Sequence, residues 1–445
     1  MLLKIHLDLD CYFVSAERVR YPFLNNIPVA VAKSGDNQIF SKNKKRAVMI
    51  GDCGAFNSAL EFANDYFMTS KDKNAKIDSN TILNMWKNEF IDNSNKHNPK
   101  IHGMVIAKSY EAKSYGIATG MSIAEALHRC PHLKIIPSDH LYYQLMSQEL
   151  KIFLETKIPV LEQYSIDEFF GDLGGWIKDD DTFEFIKSLQ EQIKQKFNLP
   201  ISIAASKSKW IAKLATDKIK PYGLKVIKES EVAEFTKGIN VNEFAGIGRS
   251  ISKMLSSRGI DRLEQIQINP LIFNCYGKSG RDLYKRICGT DNEAVIAKSD
   301  RRSIGISRNF VAIDDRDEIK RRITILARYL SYELKKLNLK PTTYQIKFKY
   351  QYNIKIKESI TSNSLFSEHF LINLAKEMFA KLDIHKSWKI HYLSINATNF
   401  ITPSNQKTLS LLNYQEEQKH DKLTQTLTRI RDRFGIDSIR WGSEV

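Results

Sequence analysis

The sequence predicts an α+β protein with several domains, and three observations lead to that prediction. The chain has 445 residues, which is more than one compact domain usually contains. Hydrophobic residues make up 42% of it and charged residues 27%, as expected for a globular protein. Segments with the two-residue period of strands and segments with the longer period of helices occur in both halves.

The first element is a strand in the segment IHLDLDCYF, residues 5–13. Apolar and polar residues alternate here, so Asp8 and Asp10 fall on one face at the end of the strand. Carboxylates in such a place need a cation nearby, and a metal ion is one candidate. The alternative is that the strand end is simply solvated.

A second acidic segment, YSIDEFFGDL at 164–173, carries Asp167 and Glu168 side by side at its middle. Neighbouring side chains on a regular strand point to opposite faces, so both reach one ion only at a turn or a bulge. Two acidic segments far apart in sequence suit a two-metal site, which binds the attacking and leaving oxygens of a phosphoryl transfer.

Five motifs occur in order along the chain: LDLDCYFVSAE, SYEAKSYGI at 109–117, YSIDEFF, KPYG at 220–223 and FAGIGRS at 244–250. Together they resemble the Y-family translesion DNA polymerases, nearest the bacterial DinB-like branch. The resemblance covers nearly the whole chain except residues 36–102. It implies a right-hand polymerase fold with a palm, fingers, a helical thumb carrying a helix-hairpin-helix, and a βαββαβ-like little finger domain.

The resemblance also implies domain limits and a function, namely template-directed DNA synthesis from dNTPs on primer-template DNA, across lesions, by a monomer. The limits are 1–10 for the first palm strand, 11–137 for the fingers with an insertion at 36–102, 138–228 for the palm, 229–297 for the thumb, 298–401 for the little finger and 402–445 for a tail. The insertion is interpreted as an elaboration of the fingers, with helices near 55–67 and 80–91.

At the catalytic centre, the resemblance implies two Mg²⁺ ions. Their ligands are the carboxylates of Asp8, Asp167 and Glu168 and the backbone carbonyl of Leu9. Asp10 supports this set without being a ligand. Phe13 falls at the position of a steric gate that leaves no room for a 2′-hydroxyl, and the alternative is an ordinary core aromatic.

Further positions match contacts to the nucleotide and the template. The triphosphate contacts are Tyr110, Lys113 and Lys220. Lys113 stands where arginine is usual, which keeps the charge but loses the bidentate grip on phosphate. Met104 and Ile106 match positions over the templating base, where the family often has small residues.

The sequence also predicts a helix over 182–197, a strand over 201–206 and a helix from Ser208 that ends before Pro221. On a helical period, Lys209, Lys213 and Lys220 fall within about 40° of one another. We interpret Lys209 as part of a solvated face.

Two regions are expected to bind DNA. Gly246 and Gly248 lie in a helix-hairpin-helix-like segment, where glycine lets backbone N–H groups approach a phosphate. In the strands of 344–357, apolar residues alternate with lysines, which are Lys347, Lys349, Lys355 and Lys357. One face is predicted to pack on helices near 316–338 and 365–382, and the other to present lysines to the phosphate backbone.

The tail contains TLSLL at 408–412, which resembles the peptide by which bacterial polymerases bind the sliding clamp. Its contact residues are Leu409, Leu411 and Leu412, and Thr408 stands where glutamine is usual. An amphipathic helix is predicted from Leu423 to Gly435. The alternative is a disordered tail with incidental leucines.

Composition excludes some classes of protein. The formal net charge of +16 favours a polyanionic partner, and residues 298–401 hold 20 Lys and Arg against 10 Asp and Glu. The sequence contains no run of 18 apolar residues, so no membrane span is predicted. The N-terminus is predicted to be a strand and not a signal peptide. The five cysteines form no CxxC, which argues against zinc or disulfides and fits the cytoplasm.

Two other hypotheses remain open. A metal-dependent glycosyltransferase would use an Asp-x-Asp motif but needs neither the Gly-Ile-Gly segment nor the basic second half. A non-catalytic Y-family relative would bind DNA repair proteins as a scaffold, but we expect it to have lost acidic residues that this chain retains.

Overall fold

The structure is a computed structural model that describes residues 3–33, 38–41, 79–88, 90–92, 100–298, 301–401 and 414–444. Its strands are β1 (Lys4–Leu9), β2 (Val29–Lys33), β3 (Ile91–Asp92), β4 (Lys100–Ile101), β5 (Met104–Lys108), β6 (Lys134–Pro137), β7 (Val160–Gln163), β8 (Glu168–Asp172), β9 (Ile201–Ser206), β10 (Leu224–Ile227), β11 (Ser303–Ile313), β12 (Pro341–Tyr350), β13 (Lys355–Thr361) and β14 (Ile390–Phe400).

The α-helices are Tyr12–Arg20, Ser79–Asn88, Tyr110–Ser114, Ile123–Arg129, His140–Glu155, Thr182–Phe197, Lys209–Ile219, Val232–Thr236, Arg249–Ser256, Leu263–Gln267, Gly277–Ile287, Arg316–Lys336, Glu368–Leu382 and Tyr414–Phe434. The helix Ser79–Asn88 confirms the one predicted near 80–91. The helix predicted near 55–67 lies outside the described residues.

The central sheet has five strands in the order β10–β9–β1–β8–β7, with β1 in the middle and antiparallel to both neighbours. Every residue of β1 is buried. The helix Lys209–Ile219 packs across the strand, so the face that carries His6 and Asp8 is buried like the apolar face. The alternative of a solvated strand end is therefore wrong, because a helix covers the carboxylates.

The side sheet has three strands in the order β5–β2–β6. Val29 and Val31 join the core of the central sheet, whereas Ala30 and Ala32 face a smaller core on the other side. The helix Ser79–Asn88 packs beside β6, and the ring of Trp86 lies 5.1 Å from that of Tyr21.

A third core joins the short helices between Val232 and Ile287 to the helix Lys209–Ile219. Gly248 caps the helix Arg249–Ser256, so the helix predicted after the Gly-Ile-Gly segment is confirmed.

The C-terminal sheet has the strand order β11–β14–β12–β13, and its elements follow the predicted βαββαβ order. Alternate residues such as Ile346 and Phe348 pack with the helices Arg316–Lys336 and Glu368–Leu382 in one core. The predicted packing of one sheet face on two helices is thus confirmed.

The last helix, Tyr414–Phe434, is longer than predicted and is fixed to the C-terminal core by buried ion pairs. Arg431 donates to both carboxylate oxygens of Glu368, at 2.6 and 3.1 Å. Arg328 donates to Glu444 at 2.8 Å. A disordered tail is therefore wrong for residues 414–444, because buried charges of this kind require their partners.

None of the helices in these ranges combines the length and apolar character needed to cross a bilayer.

Candidate active site

The strands β1 and β8 bring two of the predicted carboxylates together. Asp8 and Glu168 are direct cross-strand partners, and the side chain of Asp8 is almost fully buried. The backbone N–H of Leu9 donates to the carbonyl of Asp167 at 3.0 Å, which holds the two acidic segments in register.

Asp167 lies in a bend just before β8, so the predicted irregularity beside Glu168 is present, although the pair stands at the start of the strand and not at its middle. Ser165 shapes this bend. Its hydroxyl donates to Asp167 Oδ1 at 2.6 Å and accepts from the backbone N–H of Glu168 at 3.1 Å.

Two lysine ammonium groups stand against the carboxylates. Lys220 Nζ donates to Asp8 Oδ2 at 2.6 Å, and Lys213 forms an ion pair with Glu168. The helix ends at Ile219, before Pro221 as predicted, so Lys220 reaches the site from the residue after the helix. The sequence suggested no partner for Lys213.

The interpretation of Lys209 as a solvated residue is wrong. Its side chain is buried, and its Nζ donates to Glu162 Oε2 at 2.6 Å and lies 4.5 Å from the ring centroid of Phe170. The helical period correctly predicted that Lys209 and Lys213 lie on the same side. It could not show that this side packs on the central sheet.

Burial dominates the electrostatics of the carboxylates. It raises the pKa of Asp8 to about 7, although the Lys220 ammonium opposes this shift. Burial likewise raises the pKa of Asp167, against the Ser165 hydrogen bond. Burial alone would lower the pKa of Lys220, but the Asp8 carboxylate raises it overall. The cluster therefore favours positive charge at its centre.

His6 belongs to the same cluster, which sequence reasoning missed. His6, Asp8 and Glu168 each offer a ligand atom, and these atoms lie within 4.8 Å of one another. No other group of three or more His, Cys, Asp or Glu side chains in the described ranges comes as close. The alternation of β1 placed His6 on the face of Asp8, and that was the available signal.

Asp10 lies in the turn after β1. It accepts hydrogen bonds from Ser202 Oγ at 3.0 Å, from the backbone N–H of Tyr222 at 2.8 Å and from Tyr110 OH at 3.5 Å. Burial raises its pKa. Its supporting role stays a prediction, and these contacts favour it.

Phe13 lies in an aromatic group at the start of the helix Tyr12–Arg20. Its ring stacks on Tyr143 at 4.5 Å between centroids and meets His140 edge-on at 5.3 Å. The ring is only partly buried, so one side remains accessible. Stacking on a buried tyrosine makes it rigid, as a steric gate requires.

The other predicted nucleotide and template residues are spread around this centre. Lys113 is exposed, and its Nζ lies 6.0 Å from the ring centroid of Tyr110. Met104 is 52% exposed, whereas Ile106 packs against the core of the central sheet. The register of β5 with β2 shifts between Val105 and Ala107, so Ile106 stands at an irregularity.

The predicted DNA-binding residues belong to other elements than the carboxylates. Gly246 has φ +101°, a conformation that glycine adopts readily, and open space surrounds the position of a Cβ on Gly248. The four lysines form two cross-strand pairs on the face opposite the helices, Lys347 with Lys357 and Lys349 with Lys355. Leu409, Leu411 and Leu412 lie outside the described residues.

Known proteins match most of the chain. The model of the impB/mucB/samB family matches residues 84–217, and that of the impB/mucB/samB family C-terminal domain matches 301–411, together just over half of the chain. DNA polymerase IV of Alkaliphilus oremlandii (strain OhILAs) is 26% identical over 364 residues, 77% of this chain and 89% of that protein. DNA polymerase IV of Bacillus anthracis is 27% identical over 357 residues, 77% of this chain and 84% of that protein.

Solved structures share the fold. A Y-family DNA polymerase chimera superposes with a TM-score of 0.66 at 19% identity, covering 90% of this chain and 99% of that one. DinB from Sulfolobus solfataricus superposes with a TM-score of 0.52, also at 19% identity and with the same coverage. The chain therefore belongs to the impB/mucB/samB family and is a DinB-like DNA polymerase of the Y family.

Proposed function

We propose that this DNA polymerase performs translesion synthesis in DNA damage tolerance, by transferring a nucleotide from a dNTP to the 3′-hydroxyl of a primer. The observation that carries the proposal is the pairing of buried Asp8 with partly buried Glu168 across β1 and β8, with two ammonium groups against them. A buried acidic centre that attracts cations suits a reaction on a polyanionic substrate.

The donor set fits a divalent metal ion. Carboxylate oxygens are the ligands that Mg²⁺ prefers, and Asp8, Asp167, Glu168 and the Leu9 carbonyl are the residues that would hold two of them. When bound, Mg²⁺ lowers the pKa of the attacking hydroxyl and stabilises the charge on the leaving pyrophosphate. Lys213 and Lys220 form ion pairs with two of these carboxylates, Glu168 and Asp8 respectively.

The chain's own residues bind and orient the nucleotide. Lys220 stands beside Asp8 and, with Tyr110 and Lys113, provides hydrogen-bond donors and charge for the triphosphate. Phe13, held by Tyr143, closes the space at the sugar 2′ position. Met104 and Ile106 stand over the template base, and their size restricts bulky templates.

Most contacts to the phosphate backbone of primer-template DNA lie outside the catalytic centre, which holds the primer 3′ end. The lysine face, defined as Lys347, Lys349, Lys355 and Lys357, contacts the phosphate backbone without reading sequence. Gly246 and Gly248 add backbone contacts to phosphate. We assign the central sheet to the palm, the side sheet to the fingers, the helices between Val232 and Ile287 to the thumb, and the C-terminal sheet to the little finger.

A sliding clamp is the proposed protein partner, bound through Leu409, Leu411 and Leu412. Because Arg431 and Glu444 form buried pairs with the little finger, removal of the whole tail would damage that domain. Alanine at the three leucines is the cleaner test, and clamp stimulation of synthesis is the measurement.

The function is tested by primer extension with Mg²⁺ on an undamaged template and on one with a minor-groove adduct at guanine. We expect extension past both, and we expect Asp167→Asn to abolish it. Asp172→Asn, at the other end of β8, is the matched control and should retain activity. A wild-type protein that binds DNA without extending the primer would support the scaffold hypothesis instead.

A further inference from the structure

We propose that His6 is a nitrogen ligand for a divalent transition-metal ion in the carboxylate site, so that Mn²⁺ binds through mixed nitrogen and oxygen donors. This inference rests on the function proposed above, because it concerns the same site. It adds a ligand of a different chemical class to the carboxylates.

The surroundings of His6 call for a partner. Its side chain is 0% exposed, and in the described part of the chain neither ring nitrogen has a hydrogen-bond partner. An unpaired buried polar group costs about 1–3 kcal/mol. Phe170 packs on the imidazole at 4.6 Å between ring centroids. A bound ion would provide this partner, and it would take the place of the Lys213 ammonium at Glu168 Oε1.

The distances suit a shared ion. His6 Nε2 lies 4.0 Å from Glu168 Oε1, which is too long for a hydrogen bond. Two ligand atoms that are each about 2.1 Å from one ion lie about 3–4 Å apart, so this spacing matches a metal placed between them. Imidazole favours transition metals over Mg²⁺, which prefers oxygen.

The experiment uses the full-length wild type, His6→Phe and His6→Asn, each without nucleic acid and with one equivalent of MnCl₂. Electron spin echo envelope modulation of bound Mn²⁺ reports a directly coordinated ¹⁴N nucleus. We expect the ¹⁴N signal in the wild type and its loss in both variants. The affinity of the variants for Mn²⁺ should fall about tenfold, or roughly 1.4 kcal/mol. The EPR signal of the unbound ion measures this affinity.

His420→Gln is the control, because His420 stacks on His369 beside Glu416 at the surface and is another potential source of nitrogen. The control should keep the signal. Wild-type Mn²⁺ that binds without ¹⁴N modulation, or modulation that persists in the His6 variants, overturns the proposal. If primer extension is nevertheless normal, the proposed function stands while the role of His6 falls.

An independent observation concerns the start of the insertion. Two residues of the single turn Gln38–Phe40 are buried in the core of the little finger, Ile39 at 0% and Phe40 at 4% exposure. Arg321 Nη2 donates to the Phe40 carbonyl at 2.7 Å, and the Arg322 guanidinium lies 4.6 Å from the centre of the Phe40 ring.

We infer that this turn tethers the little finger to the fingers. β2 ends at Lys33 in the side sheet, and the segment that joins Lys33 to Gln38 spans at most about 18 Å. On the far side of the insertion, the helix Ser79–Asn88 packs beside β6 of the same sheet. The little finger is therefore held close to the fingers before DNA binds.

The test is single-molecule energy transfer in the DNA-free protein, between fluorophores at the exposed residues Glu125 and Lys386. We expect the distribution of transfer efficiency to broaden and shift lower when twelve Gly and Ser residues are inserted within 34–37, a change that keeps every contact of Phe40. Phe40→Ala should do the same, and Phe434→Ala, at an exposed phenylalanine, should not. Wild-type distributions in both altered proteins would overturn the tether.

Discussion

The carboxylate site and the lysine face both carry concentrated charge, but in opposite surroundings. Asp8 is buried with Lys220 against it, whereas Lys355 and Lys357 are exposed on an open sheet. Two charges 4 Å apart interact by about 4 kcal/mol at the effective dielectric constant of a protein site and by about 1 kcal/mol in bulk water. Each charge of the buried site is therefore hard to replace, while the exposed lysines act additively and are screened by salt.

The largest expected effect is at the buried site. Asp8→Asn should lower kcat/KM for dNTP insertion by at least about 10³-fold, or roughly 4 kcal/mol, because the amide no longer attracts a cation. The Kd for primer-template should stay within about twofold, since the lysine face is untouched. Single-turnover insertion and fluorescence anisotropy measure the two quantities. If Asp8→Asn also weakened DNA binding, catalysis and DNA binding would not depend on separate regions of the protein.

The lysine face should show the opposite behaviour. Changing all four lysines to glutamine should reduce the slope of log affinity against log salt by about 3–4, because each phosphate contact releases counterions. The insertion rate at saturating DNA should change little. Lys187→Gln, at an exposed lysine on the helix Thr182–Phe197, is the control and should leave the slope unchanged. If the slope is unchanged in the variant with all four lysines replaced, the DNA does not contact the lysine face.

The same contrast explains what the sequence could predict. Alternation along β12 and β13 was sufficient for the lysine face, because an exposed strand face follows the two-residue period without further information. It was not sufficient for β1, where a helix from far along the chain buries the polar face. The ion pairs Lys213–Glu168 and Lys209–Glu162 and the position of His6 depend on that packing, so they required the structure.

Two other features also lay beyond sequence reasoning. The buried pair Arg431–Glu368 joins residues that are far apart in sequence, and a charged amphipathic helix in a tail has no local signal for its docking site. The turn Gln38–Phe40 is short, and the burial of Phe40 depends on its contacts with Phe310 and Arg322. By contrast, the bend at Asp167 was predicted correctly because two adjacent carboxylates cannot share one face of a regular strand.

A smaller effect is expected at Phe13, which follows β1 in the helix Tyr12–Arg20 and carries no charge. Phe13→Ala should shift the ratio of kcat/KM for dCTP over CTP opposite guanine towards CTP by at least about tenfold, or roughly 1.4 kcal/mol. The reason is removal of a rigid ring stacked on Tyr143. Phe153→Ala, on the far side of the same core, should not change the ratio. An unchanged ratio in Phe13→Ala would assign the ring to packing alone.

The smallest expected effect concerns a buried carboxylate that has no proposed role in catalysis. Glu17, in the helix after β1, is buried and accepts a hydrogen bond from Tyr143 OH at 2.7 Å. Burial raises its pKa to about 7, although Arg20 opposes this. Because the folded-state pKa lies above the unfolded one, the stabilising contribution is fully present below about pH 4.5 and is lost as the pH rises through 7.

Glu17→Gln keeps the acceptor for Tyr143 but removes the titration. The gain in melting temperature of this variant over the wild type should therefore be larger at pH 8 than at pH 5. Each kcal/mol of difference in the free energy of unfolding corresponds to about 2–4 °C. Thermal unfolding at both pH values measures it. Glu155→Gln, at the exposed end of the helix His140–Glu155, should show no pH-dependent gain. An equal gain for Glu17→Gln at both pH values would mean that Arg20 compensates the buried charge, and the contrast between buried and exposed charge would then hold only at the carboxylate site.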